Sequence, residues 1–278
     1  IDPVEKKPLY HFLPGSPILS IATAGCNLHC KQCQNWQISQ SGGRASDTNV
    51  LPEAMAALAL ERKCPAIAYT YTEPLVSYEY TYDCCKAAAE KGLRNVLVTA
   101  AFINPDPLKA ICKYVDAANV DLKSFSNDFY RDICDAQLQP VLTALKTMKE
   151  SGVMLEITNL IIPTLNDTEE ETKQLCAWVV ENLGDETPLH FSRFFPQNEL
   201  KHLPPTPIET LLRAREIAIE AGLQFVYLGN MSSVEAESTW CPECGKLLIE
   251  RSGYTIINNL PADGSCPECS AQIHGIWS

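Results

Sequence analysis

Residues 20–40 read SIATAGCNLHCKQCQNWQISQ and place Cys26, Cys30 and Cys33 in a C-x3-C-x2-C spacing. The apolar run ILSIA (18–22) that leads into them is that of a short buried strand. Gly25 and Asn27 allow the chain to turn sharply off this strand, so the three thiols can converge. Thiols crowded in this way look like metal ligands, yet a closed zinc site takes four. The count of three has to be read together with the position of the loop in the fold.

Downstream, apolar runs recur at AIAYT (66–70), NVLVTA (95–100), ANVDL (118–122), MLEITNLII (154–162), LHFSRF (189–194) and QFVYL (224–228). Helical patterns fill the gaps at 52–63, at 74–91 up to Gly92, from about Pro105, at 140–152, after Asn166-Asp167-Thr168, and at 208–221. Long helices between short β-branched runs indicate parallel βαβ units. Six or seven units over roughly 220 residues suffice for a (β/α) barrel. The expected fold is therefore α/β, a partial or full (β/α) barrel over residues 1–229. An open doubly wound sheet competes, but no G-x-G-x-x-G turn follows the first strand.

In a barrel, the loop after the first strand lies on the carboxyl-terminal rim, where active sites collect. Iron–sulfur clusters are held by Cys thiolates, and a cube has four irons, so three ligands leave one iron open. An open position is what separates a catalytic metal site from a structural one.

After Gly229 the texture changes. A polar connector, NMSSVEAESTW (230–240), leads to Cys241-Pro-Glu-Cys244, the β-like stretch KLLIERSGYTII, a Gly-containing turn, and Cys266-Pro-Glu-Cys269. Two C-x2-C knuckles place four thiolates at the corners of a tetrahedron, which suits Zn²⁺. Gly245 falls where such a knuckle requires positive φ. So small a module cannot build much core, and its metal would supply folding energy. Residues 230–278 are expected to form a zinc-ribbon-like module on Cys241, Cys244, Cys266 and Cys269. Iron fits the same geometry, which keeps an electron-entry role open.

Of the 278 residues, 46% are hydrophobic and 20% charged, an ordinary globular composition. The net charge of −12 argues against nucleic acid as a partner. No run of about eighteen apolar residues exists, so no membrane association is expected. The chain opens IDPVEKK, with neither Met nor a signal-peptide pattern, which suggests further residues upstream and a soluble, cytoplasmic protein. Thirteen Cys is an odd count in a chain too long for a stapled scaffold. The six outside the two groups, at 64, 84, 85, 112, 134 and 176, are expected to be buried free thiols.

The C-x3-C-x2-C loop on a barrel rim resembles the radical S-adenosylmethionine (radical SAM) superfamily. The segments KKPLYHFLPGS, AYTYTEP, NVDLKSF and LHFSRFFP are similar to a subgroup related to glycyl-radical activases, the pyruvate formate-lyase-activating enzymes among them. Within it, the chain resembles the radical SAM component of the AmmeMemoRadiSam system, which also carries a carboxyl-terminal four-cysteine module. The resemblance spans nearly the whole chain. It implies a [4Fe-4S] cluster on Cys26, Cys30 and Cys33, with S-adenosylmethionine (SAM) chelating the open iron. One electron then cleaves SAM to a 5′-deoxyadenosyl radical, which abstracts hydrogen from an unidentified protein, peptide or small molecule. Glycyl-radical activation of a partner protein is one form of this chemistry. Reduced flavodoxin or ferredoxin is the implied electron donor.

Candidate SAM contacts follow from the rim positions. Glu73, after the second run, could pair with the amino group, with Thr72 hydrogen-bonding nearby. The family's Gly-Gly-Glu element is here reduced to the acid, and the other reading of Glu73 is a helix N-terminal charge. Asp121 and Lys123 lie two apart at the end of the fourth run and share a face, with an ordinary ion pair as the alternative. Asn104 and Arg193 are further candidates for SAM or substrate. The residue before the third cluster Cys is commonly aromatic in the family and rests near adenine. Here it is Gln32, with Trp36 nearby. His11 and His190 read as packed or surface histidines. The rival reading is an iron–sulfur or zinc protein for electron transfer or structure, without SAM chemistry.

Overall fold

The computed structural model describes residues 1–40, 50–258 and 263–278. All seven apolar runs become strands, preceded by a two-residue strand not foreseen from the sequence. The strands are β1 (Asp2–Pro3), β2 (Pro17–Ile21), β3 (Ala66–Tyr69), β4 (Arg94–Thr99), β5 (Ala117–Asp121), β6 (Met154–Ile161), β7 (Leu189–Arg193) and β8 (Val226–Gly229). They form one eight-stranded sheet in chain order. β2 through β8 run parallel, and β1 pairs antiparallel with β2. No ladder returns from β8 to β1 among the described residues, so the sheet is a curled half-barrel.

Helices Pro52–Glu61, Tyr78–Glu90, Pro105–Ile111, Leu138–Glu150, Glu169–Leu183 and Ile208–Glu220 make the crossovers. The helix expected over 74–91 is broken: Pro74–Ser77 is a 3-10 turn, and Ser77 leaves helical geometry (φ −102°, ψ 52°) before the α-helix begins. Between β5 and the next long helix, a single turn over Asn127–Phe129 passes into a π-helical turn, Tyr130–Cys134.

Strand side chains alternate between faces. One face, with Leu19, Ile67, Leu97, Val120 and Ile157, packs in the large cluster that includes the helices. The other, with Ile18, Ala66, Ala68, Val96, Ala117 and Met154, packs on Val4, Leu9, Phe12 and Leu13. The amino-terminal segment thus crosses the inside of the half-barrel. Polar groups on the inner face hold it there. Asn119 donates to the Pro8 carbonyl (2.8 Å), and Glu156 Oε1 accepts from the Tyr10 and His11 amides (2.7 Å each). Glu156 Oε2 meets His190 Nε2 at 2.6 Å. Burial alone would raise the Glu156 carboxyl, but His190, then His11 and its amide, outweigh it and hold it below the usual range.

The carboxyl-terminal strands β9 (Thr239–Trp240), β10 (Leu247–Ser252) and β11 (Thr255–Asn258) form a second sheet in the order β11-β10-β9. Leu248, Ile249, Ile273, Cys241 and Cys266 share one core with Tyr10, Phe225 and Tyr227. Arg251, fully buried in this seam, donates to the Tyr10 carbonyl (2.7 Å) and to Thr239 Oγ1 (2.7 Å). The ribbon is therefore packed onto the half-barrel through the amino-terminal segment. Among the described residues, no helix is long and apolar enough to cross a membrane.

His11 is enclosed in the same seam, with Nδ1 2.6 Å from the His274 carbonyl and Nε2 2.7 Å from the Tyr227 hydroxyl. Burial lowers its pKa from 6.5 to about 4. The unfolded chain therefore binds a proton at His11 that the folded chain refuses between these values. Stability from this group is complete above pH 6.5 and falls as pH drops towards 4, by about 3 kcal/mol in all. Thermal melts at pH 7.5, 6.5 and 5.5 are expected to show a falling midpoint, and the slope should flatten in His11→Asn. An equal slope in both proteins would remove His11 as the cause.

Candidate active site at the carboxyl-terminal rim

The loop after β2 is built for convergence. Gly25 takes φ +100°, a left-handed conformation that side chains resist, and its amide donates to the Ile38 carbonyl (3.0 Å). Leu28 is buried and anchors the loop from below. Two main-chain bonds fasten the loop to the π-helical turn: His29 N to the Cys134 carbonyl (3.0 Å) and Lys31 N to the Ile133 carbonyl (2.9 Å). Asn27 Nδ2 reaches the Phe102 carbonyl after β4 (2.8 Å).

Cys26, Cys30 and Cys33 are free thiols, each half-buried. Cys26 Sγ accepts from the Leu28 amide (3.4 Å), and Cys33 Sγ lies 3.3 Å from Ser39 Oγ. Burial pushes the Cys26 thiol up to about 11, so metal binding there must displace a proton. These three sulfurs do not gather into the tight group that one ion requires, in contrast to the ribbon cysteines. A cube asks for the looser arrangement, because each thiolate binds a different iron.

A fourth thiol lies against this loop. Cys134 and Cys30 are hydrogen-bonded sulfurs, an interaction that raises Cys30 and lowers Cys134. Gln32 is 5% exposed and turns towards Cys134, with Nε2 3.8 Å from its Sγ, while Gln32 Oε1 is buried without a partner. In this arrangement the Gln32 amide is part of the loop's packing. Trp36, on the short helix Trp36–Ser39, is 39% exposed. Cys134 sits more than a hundred residues from Cys30, and no local pattern could have paired them. The other five scattered cysteines are buried, as expected.

Asp121 ends β5, and Lys123 Nζ lies 2.6 Å from its Oδ2. Burial opposes the Lys123 charge, but Asp121 and then the Cys30 sulfur outweigh it and raise the ammonium above its usual value. Glu73 is 2% exposed. Its Oε1 accepts from the Leu75 amide (3.1 Å) and Thr99 Oγ1 (2.6 Å), and its Oε2 from the Ala100 amide (2.7 Å). The carboxylate thus ties the end of β3 to the end of β4. With about four acceptor sites on a carboxylate, one remains. Thr72 donates to the Thr23 carbonyl (2.7 Å), binding the β3 end to the cysteine loop. Asp121, Lys123, Thr72 and Glu73 therefore share the β2–β5 sector of the rim with the three thiols.

Asn104 lies in the same sector, on the connection after β4, whereas Arg193 lies outside it, at the end of β7. Asn104 is exposed at the N-cap of helix Pro105–Ile111 and makes no side-chain cap bond. Arg193, at the end of β7, donates from Nε to the Thr206 carbonyl (2.8 Å) and stacks over Phe195 (5.0 Å).

The ribbon site has a different geometry. Cys241 and Cys269 sulfurs are 3.6 Å apart, those of Cys244 and Cys266 3.7 Å, and all four lie within 4.8 Å of one another. Four sulfurs about 2.3 Å from a tetrahedral zinc are about 3.8 Å apart. The knuckles repeat one hydrogen-bond pattern: Gly245 N to the Cys241 carbonyl and Ser270 N to the Cys266 carbonyl, both 2.9 Å. Gly245 has φ +69°, as the turn demands.

Three free thiols stand on a loop at the mouth of the first parallel strand of an open (β/α) barrel. The sequence model of the radical SAM superfamily matches residues 20–179, and the chain belongs to this superfamily. It is 47% identical over 276 residues to a protein of Methanocaldococcus jannaschii named only as uncharacterized, covering 98% of this chain and 82% of that one. It is 26% identical over 164 residues to the pyruvate formate-lyase-activating enzyme of Clostridium pasteurianum, covering 57% and 67% of the two chains. The structure of Streptococcus suis SuiB bound to S-adenosylmethionine superposes with TM-score 0.61 at 13% identity, over 82% of this chain and 53% of that one. Membership implies a [4Fe-4S] cluster and SAM, and the free, half-buried, loosely spaced thiols, with Lys123 acting on Cys30 through its field, fit such a cluster.

Proposed function

We propose that this protein is a radical SAM enzyme acting on an unidentified substrate, with Cys26, Cys30 and Cys33 as the cluster ligands. The observation that carries the reading is the rim loop itself, which presents three free thiols and provides no fourth ligand from within the motif. When bound, the cluster and SAM supply reductive cleavage of the sulfonium and a 5′-deoxyadenosyl radical that takes hydrogen from the substrate. The chain's own residues position these groups. Glu73 has an acceptor site left for the amino group of SAM, and Thr72 keeps the β3 end against the cysteine loop. The Asp121–Lys123 pair holds an ammonium whose field reaches the Cys30 sulfur, and there it would offset the negative charge of a thiolate-bound cluster. Asn104 and Arg193 border the same rim and stand as outer contacts to SAM or substrate.

Zinc is the metal we assign to the ribbon, on the sulfur spacing and the paired knuckles. The relationship to an activating enzyme supports hydrogen abstraction from a protein glycine as one substrate class, with reduced flavodoxin or ferredoxin as electron donor. The testing experiment reconstitutes the cluster anaerobically, adds dithionite and SAM, and follows products by chromatography. Methionine and 5′-deoxyadenosine are expected in equal amounts. A fully loaded, reduced protein that forms neither would overturn the assignment.

A further inference from the structure

Five and six strands along the sheet from the cysteine loop, a cavity of about 320 Å³ opens beside β7 and β8. Three parts of the chain build it. The amino-terminal segment provides Glu5 and Tyr10, β7 and β8 provide His190, Ser192 and Gly229, and the ribbon region provides Glu237 and Tyr254. Ser192 and Gly229 are near the carboxyl ends of their strands, so the cavity lies on the rim side of the amino-terminal segment. Its volume is at the lower end of the range for small-molecule sites.

The polar groups of its wall are unevenly satisfied. Glu5 is 1% exposed; its Oε1 accepts from the Gly15 amide (2.8 Å), and its Oε2 is sealed from solvent with no partner. A buried carboxylate oxygen left unpaired is costly unless something completes it. The nearby cations do not. Lys6 is bonded to Asp2 (2.9 Å), and Arg251 is committed to Tyr10, Thr239 and the Glu237 carbonyl, acting on Glu5 only through its field. Glu237 adds a second carboxylate, with Oε2 accepting from the Gly253 amide (2.9 Å). His190 is fixed by Glu156 through Nε2, and its Nδ1 has no hydrogen bond among the described residues. Where Nε2 carries the proton, Nδ1 is an acceptor.

An unpaired carboxylate, a second carboxylate and an imidazole nitrogen between two tyrosines make a site for a cation with an apolar body. We propose that this cavity binds a small molecule bearing a protonated amine, with Glu237 in its wall and the buried Glu5 behind the wall as counter-charges, and, on the reading of the protein as a radical SAM enzyme, that it is the substrate pocket. Gly229 keeps one wall open. A Cβ there would stand 2.9 Å from Ser192 Oγ, so a larger side chain would crowd two residues that line the cavity.

Three probes of one shape test this on the reconstituted protein: phenethylamine, phenethyl alcohol and hydrocinnamate, titrated by calorimetry. The amine is expected to bind at least about tenfold more tightly than the alcohol, with no binding of the carboxylate. Glu5→Gln and Gly229→Val should each weaken the amine by at least about tenfold, with folding checked by circular dichroism. If Glu5→Gln does not fold, the probe ranking in the unaltered protein and Gly229→Val decide. Equal binding of all three probes, preference for the carboxylate, or unchanged affinity in the folded variants would overturn the proposal. The assay for 5′-deoxyadenosine, run without amine, separates the two readings. A protein that makes it but binds no amine refutes this inference alone, and one that binds amine but makes none refutes only the radical SAM assignment.

Discussion

Cys30→Ala is expected to leave the protein folded but without its cluster, and to reduce 5′-deoxyadenosine formation at least about a hundredfold. The physical reason is the ligand count. A cube held by three thiolates has no spare ligand in the loop, and loss of one leaves two irons without a protein bond. Iron and sulfide analysis after reconstitution, together with the product assay, measures both effects. Cys134→Ala supplies the contrast. Cys134 touches Cys30 but belongs to the supporting turn, whose main-chain bonds to His29 and Lys31 survive the substitution. That variant should keep its iron. If Cys134→Ala loses iron as completely as Cys30→Ala, the ligand set has been misassigned.

Cys244→Ala should have the largest effect on stability. Metal binding contributes about 10–16 kcal/mol to folding in isolated zinc modules, and a three-thiolate remnant would lose much of that. In this chain the loss is not confined to the ribbon. Cys241 and Cys266 share a core with Tyr10, Phe225 and Tyr227, and Arg251 is buried across the seam. A loosened ribbon therefore exposes the side of the half-barrel that the amino-terminal segment occupies. The melting midpoint is expected to fall by at least about 10 °C, with loss of the bound metal. Calorimetry and elemental analysis on the same preparation test this. Retention of metal at an unchanged midpoint would show that Cys244 is not a ligand.

These two thiol groups are the parts of the molecule that sequence alone discloses best, because each is carried by short loops. Within C-x3-C-x2-C or C-x2-C, covalent geometry keeps the thiols close whatever the rest of the chain does. The parallel strands were legible for a related reason: a strand buried on both faces must be apolar at nearly every position. The SAM-contact candidates were only partly legible. Glu73 was expected to face a ligand or a helix N-terminus, and three of its acceptor sites serve the chain itself.

What the amino-acid sequence by itself determined is the alternation of strands and helices, the open three-thiol motif and the four-thiol ribbon. Tertiary structure alone decided that the half-barrel stays open and that the amino-terminal segment lies inside it. It also decided that Glu156 joins Tyr10, His11 and His190, and that Cys134 stands behind Cys30. Those partners are separated by tens to hundreds of residues. A buried polar group takes whichever partner the packed fold brings to it, and no local spacing records that choice.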